Sequence, residues 1–114
     1  MRITAHSFGR ITVDGRSYTA DVVLTPGKVD DRWWREQGHH CRLADLAAEL
    51  AAPPAVLIVG TGDPGLMRVD DDLKDHCAAN GIELLVLPTA QAADEYNRRQ
   101  GAGVAVVAAL HLTC

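Results

Sequence analysis

Residues 55–87 read AVLIVGTGDPGLMRVDDDLKDHCAANGIELLVL, and this stretch decides the fold. Ala55 to Val59 is a short apolar run rich in branched side chains, the composition of a strand buried on both faces. Asp70 to Asn80 carries Leu73 and Cys77 four apart, acids in its first turn and Gly81 at the C-terminal cap, so the spacing predicts a helix with those two side chains facing inward. Ile82 to Leu87 is again apolar and predicts a second buried strand. Strand, helix and strand in that order imply a parallel pair with the helix crossing over one face.

The same alternation continues outward in both directions. Downstream, Thr89 is placed to cap a helix that buries Ala92, Ala93 and Tyr96. Asp94 with Arg98 and Glu95 with Arg99 are expected as solvent-side pairs, and Gly101 ends the helix. Val104 to Leu112 is apolar at both alternating positions and predicts a central strand. Upstream, Leu43, Leu46, Ala47 and Leu50 have helical spacing and are stopped by Pro53-Pro54. Lys28 to Cys41 shows neither period and is expected as a loop. Near the start, Ile11 and Val13 alternate with polar residues, Asp14-Gly15 supplies a two-residue turn, and Tyr18, Ala20, Val22 and Leu24 resume the alternation, which predicts a β-hairpin. The expected architecture is one α/β domain over residues 1–114. It has a central sheet of about five strands with helices on its faces, preceded by the N-terminal hairpin.

Composition bounds the function. Of 114 residues 47% are hydrophobic, enough to build a core without disulfides or metal. Fifteen acidic against eleven basic residues give a net charge of -4, which opposes any role that neutralises phosphates, so nucleic acid is excluded as an expected partner. Cys41, Cys77 and Cys114 are odd in number and lack CxxC spacing; reduced thiols in the cytoplasm are the simplest expectation. Met1 to Arg10 is too polar for a signal peptide, and no apolar run approaches the roughly 20 residues of a membrane span. An unprocessed cytoplasmic chain with no direct membrane insertion is expected.

Gly60-Thr61-Gly62-Asp63-Pro64-Gly65 matches GxGxxG and directly follows a strand. Its context is wrong for a dinucleotide. Asp70, Asp71 and Asp72 crowd the helix start where a pyrophosphate would sit, Pro64 removes a donor, and Glu83 stands at the beginning rather than the end of its strand. The alternatives are a tight strand-to-helix turn, or a loop whose exposed N–H groups line a crevice at the carboxyl end of the sheet. His39-His40-Cys41, His76-Cys77 and His111 with Cys114 bring imidazole and thiol together along the chain, but adjacent strand residues point to opposite faces and Cys77 belongs to a buried helix stripe. No metal and no cofactor are expected. Of Trp33 and Trp34, one is expected to plug the core and the other to stay partly exposed beside a crevice or interface.

A further indication comes from the ordered series His6-Ser7-Phe8-Gly9, Tyr18 to Val22, Trp33-Trp34 with Gly38-His39, Gly60-Thr61-Gly62, Thr89 with Ala93, Tyr96-Asn97, and the closing Ala109 to Cys114. The series runs over nearly the whole chain. It resembles the small domain family that includes mitochondrial complex I assembly factor 3 and the adipogenesis-associated protein. The resemblance implies a three-layer fold around a mixed sheet and, from the mitochondrial member, work with a protein partner in assembling a respiratory complex; bacterial and archaeal members have no settled activity or cofactor.

The expected pocket gathers Asp21, Trp33, Trp34, His39, Gly60, Thr61, Gly62, Thr89, Asn97 and His111. Two functions fit it. The preferred one is a binding or assembly module with a protein partner or a second copy of itself, since the sequence brings no base, nucleophile and orienting group together. The alternative is an enzyme acting on a small-molecule ligand, with Asp21, His39 or His111 moving protons and the Gly60–Gly62 backbone holding an anion. His111 interrupts an otherwise apolar strand, so it is expected to be paired or to line a pocket.

Overall fold

The computed structural model describes all of residues 1–114. Strands β1 (Ile3–Ser7), β2 (Arg10–Val13) and β3 (Arg16–Tyr18) form an antiparallel three-stranded meander, turned between β2 and β3 at Asp14-Gly15. Asp14 and Gly15 both have positive φ, 50° and 81°, as this kind of two-residue turn requires. The predicted hairpin is therefore present, with a strand added on its outer side by Ile3 to Ser7. The alternation that runs on from Tyr18 to Leu24 does not continue one strand. The chain bends at Ala20 and enters β4 (Val22–Thr25), which belongs to the central sheet.

That central sheet contains β4, β5 (Lys28–Asp30), β7 (Val56–Gly60), β9 (Glu83–Leu87) and β10 (Val106–Leu110) in the order β5-β4-β10-β7-β9. β10, β7 and β9 are parallel, while β4 runs antiparallel to β10, so the sheet is mixed as predicted. Val106↔Val56 through Leu110↔Gly60 sets the central register, and every residue of both strands is buried. α1 (Asp71–Ala79) covers one face. There Leu73 and Cys77 meet Leu57, Val59 and Val107. α2 (Thr89–Gly101) covers the other, where Ala92, Ala93 and Tyr96 pack on Ile58, Ala108 and Leu110 together with Ile3, Ile11 and Val13 of the meander. The two-stranded pair of β6 (His40–Cys41) and β8 (Arg68–Val69) lies outside the main sheet.

Several local expectations are corrected. Lys28 to Cys41 contains β5 and β6, each too short to show a period. Residues 43–50 do not form an α-helix but a four-residue 3-10 turn, Leu43–Leu46; the Asp45 carbonyl accepts from the Trp33 indole, an acceptor that a continuing helix would use. Leu46 and Leu50 are nonetheless buried. β9 is an edge strand rather than a buried one, with Val86 42% exposed. Thr89 is the first residue of α2 and does not cap it; Pro88 holds the cap position. On that helix, Arg98 pairs with Glu95 rather than Asp94, while Glu95 also pairs with Arg99, which reaches Glu83 on β9. No helix is long and apolar enough to cross a membrane.

Candidate functional site: a polar cluster at the carboxyl end of the sheet

The carboxyl ends of β7 and β10 are where a ligand crevice is expected in an open α/β sheet. In this protein the end of the chain fills much of that position. His111 follows β10 directly, and its N–H donates to the Gly60 carbonyl at 3.0 Å, extending the ladder. Its imidazole is folded into the protein, 7% exposed, and Nδ1 lies 2.7 Å from a carboxylate oxygen of Asp21, the residue before β4. The other Asp21 oxygen accepts the Leu112 N–H at 2.8 Å. Arg35, only 5% exposed, places a guanidinium nitrogen 3.0 Å from the carboxylate. Because the ring proton on Nδ1 points to Asp21, the 3.2 Å approach of Arg35 to that nitrogen is proximity, and the carboxylate is what Arg35 serves.

Arg35 is itself held on three sides. Its guanidinium lies 4.3 Å from the Trp33 ring centroid, and its Nε and Nη2 donate to the Gly38 carbonyl. His39 contacts the His111 ring edge-on, with centroids 6.2 Å apart. Burial alone would push the Asp21 carboxyl up, but the His111 hydrogen bond, the Leu112 N–H and the neighbouring positive charges hold it below its ordinary value. His111 Nε2 is buried without a hydrogen-bond partner.

The glycine loop is tied into the same region. Thr61 N–H donates to the Leu87 carbonyl, Gly62 N–H to Thr89 Oγ1 at 2.8 Å, and Asp63 N–H to the Thr113 carbonyl. Thr89 Oγ1 in turn donates to the His111 carbonyl at 2.6 Å. Gly62 has φ +101°, and a Cβ there would overlap the Thr113 carbonyl oxygen and lie 2.8 Å from His111 Cδ2. The amides of Thr61 to Asp63 are thus taken up by the Leu87 carbonyl, the Thr89 hydroxyl and the Thr113 carbonyl and are not free to cradle a phosphate. Letter for letter the loop is GxGxxG; in its hydrogen bonding it is a clamp.

Asp21 and Trp33 therefore meet at Arg35, Asp21 and His39 at the His111 ring, and Gly60 and Thr89 at the His111 backbone, with Gly62 bonded to Thr89 and Thr61 to Leu87 beside them. Two of the ten expected pocket residues lie apart from this bonding. Asn97 faces the meander, donating to the Ile3 carbonyl and accepting its N–H, and so fastens β1 to α2. Trp34 is 75% exposed, while its neighbour Trp33 is 8% exposed. Arg35 was not foreseen. It sits in a polar, aperiodic segment, and the only signal for it is a cation directly after two tryptophans while Asp21 waits uncompensated on a half-buried strand.

The thiols stand away from this chemistry. Cys41 is buried and pushed up to about 12, first by desolvation and then by Asp45, and burial raises Cys77 as well. His40 Nδ1 bonds Asp70 at 2.8 Å. None of the main surface clefts is lined by Asp21, Arg35 or His111.

Over residues 3–111 the sequence matches the family described as "Protein of unknown function (DUF498/DUF598)". Among solved structures, the conserved hypothetical protein PH1505 from Pyrococcus horikoshii OT3 is similar at 25% identity with a TM-score of 0.84, covering 100% of both chains. The protein MT938 is 29% identical with a TM-score of 0.83, over 99% of this chain and 98% of its own. A Mth938-like domain from Bordetella pertussis is 25% identical with a TM-score of 0.67, over 97% of this chain and 85% of its own. By the extent of the family match, this chain belongs to the DUF498/DUF598 family of proteins of unknown function.

Proposed function

We propose that this chain is a protein-binding or assembly module of the cytoplasm, and that its docking surface is the carboxyl end of the parallel strands. One observation carries the reading. The four large hydrophobic side chains left exposed are Phe8 at 59%, Trp34 at 75%, Leu66 at 55% and Val86 at 42%. All four belong to segments tied to that end. The residue after Phe8, Gly9, donates its N–H to Leu112; Leu66 donates its own to Cys114; Trp34 precedes the arginine that grips Asp21 beside His111; and Val86 lies one residue from the end of β9. Exposed aromatic and aliphatic groups gathered around one buried polar cluster fit an interface whose centre is held rigid. The resemblance to the small domain family that includes complex I assembly factor 3 supports an assembly role in the same sense.

The rival reading is a small-molecule enzyme built on Asp21 and His111. It is supported by their 2.7 Å contact, a carboxylate orienting an imidazole. Against it stand the enclosure of the ring and the absence of any side-chain nucleophile hydrogen-bonded to it. Site-specific photo-crosslinking separates the two. Crosslinkers at positions 8 and 34 are expected to capture the same protein in cells, while one at Lys28, at the opposite end of the sheet, captures none of it. Equal labelling from all three positions would sink the module.

A further inference from the structure

Beside the clamp, on the α1 face of the sheet, lies an open cleft of about 470 Å³ lined by Thr61, Gly65, Met67, Arg68, Val69, Lys74 and Val86. Three features single it out. First, Arg68 and Lys74 both line it, and neither cation forms an ion pair; the pairs of this protein involve other residues. Second, no carboxylate lines it. Asp70, Asp71 and Asp72 border a neighbouring hollow that shares Arg68 and Val69, so Arg68 stands between the two, while neither cation is paired with a carboxylate. Third, Val86 gives the wall an exposed apolar side chain over the buried Met67 and Val69, and the Gly65 N–H has no acceptor inside the protein.

We propose that this cleft binds a small organic oxyanion, a phosphomonoester or carboxylate on a short apolar body. The guanidinium of Arg68 supplies a planar fork for two anion oxygens, Lys74 a mobile point charge, and the Val86 side chain the surface for the apolar part. The volume falls within the range of about 300 to 1,000 Å³ usual for such ligands. The position is the carboxyl end of β7 and β9, where α/β sheets hold ligands, displaced sideways from the crevice that the chain's own end occupies. This assignment does not depend on the docking surface proposed above.

The test is a titration of the isotope-labelled protein with inorganic phosphate, phenyl phosphate and hexanoate at constant ionic strength, followed by backbone amide shifts. Saturable shifts are expected at Gly65, Arg68 and Lys74, with phenyl phosphate binding several-fold more tightly than inorganic phosphate because it also covers the exposed Val86. Arg68→Gln and Lys74→Gln are each expected to weaken phenyl phosphate by about tenfold or more, the worth of a charge-assisted hydrogen bond, while Lys74→Arg retains it. Shifts no larger than those from chloride, or binding that survives both glutamine substitutions, would overturn the assignment. Both side chains are exposed, so folding is not at stake in these variants.

Discussion

The loop from Gly60 to Val69 divides into two halves with opposite character. In the first, Thr61, Gly62 and Asp63 give their N–H groups to Leu87, Thr89 and Thr113, and there is no room for a single added carbon at Gly62. In the second, the Gly65 N–H is unbonded and the Arg68 charge unpaired, and both residues line an open cleft. Only a few residues separate them. The difference teaches that a glycine motif is read by where its amides go. The first half closes the crevice with the protein's own groups; in the second the Leu66, Met67 and Arg68 amides are bonded as well, and what is left over is the Gly65 N–H and the Arg68 guanidinium.

The largest effect is expected at the closed half. Gly62→Ala introduces a clash with the Thr113 carbonyl at a φ that side chains rarely adopt, and is expected to cost at least about 3 kcal/mol, read as a fall in the urea midpoint or as failure to fold. If Gly62→Ala unfolds like the parent, the clamp is not as tight as described.

Next come the buried polar partners. His111→Ala strips Asp21 of its ring partner and opens a hole beside Gly62, and about 2 kcal/mol of destabilisation is expected; Thr89→Val leaves the Gly62 N–H and the His111 carbonyl unsatisfied at a comparable cost. A variant of either kind with parental stability would mean that the cluster is not structural.

The pH dependence follows from Asp21. Its folded carboxyl titrates below its ordinary value, so the unfolded chain takes up the proton first as pH falls, and the associated stability is complete above about pH 4, the unfolded carboxylate range, and is lost as pH falls through the folded value. Glu83 and Glu95, held low chiefly by hydrogen bonds from Arg99 and Arg98, act in the same direction. Asp21→Asn is therefore expected to flatten the acid limb of stability against pH without removing it. An unchanged limb would contradict the assignment of Asp21 as a paired, ionised group.

The smallest effect is expected at the open half, where Arg68→Gln and Lys74→Gln lie within about 0.5 kcal/mol of the parent because nothing in the fold leans on them. A large loss there would join the two halves into one structural unit.

How much of this was legible in the sequence depends on the range of the interaction. Val56–Gly60, α1, β9, α2 and Val106–Leu110 announce themselves through local period and punctuation, and the Asp14-Gly15 turn through its residue types. β5, β6 and the outer strand β1 do not, because two to five residues with mixed faces carry no period; their pairing partners supply the order. The helical spacing of Leu43 to Leu50 misled because the Trp33 indole, twelve residues earlier than Asp45, takes an acceptor that no local window reveals. At the site, the oddity of His111 in an apolar strand was visible; Asp21, on the polar alternation of its expected strand, reads as a residue that faces water until the fold sets it beside His111. That Arg35 joins them was not visible, since an arginine in a polar segment reads as solvated until the fold buries it. Asn97, grouped with the pocket by resemblance alone, lies instead against the backbone of Ile3.

The central claim is that stability and partner binding occupy different residues of the same end, the buried cluster holding the fold and the exposed apolar groups meeting the partner. The most direct test is the Phe8→Ser/Trp34→Ser double variant, with the crosslink-identified partner's affinity and the unfolding midpoint measured on the same preparation. The account predicts at least about a tenfold loss of affinity, as for removal of central aromatic contacts, with the midpoint essentially unchanged. Undiminished affinity in the folded double variant would contradict it.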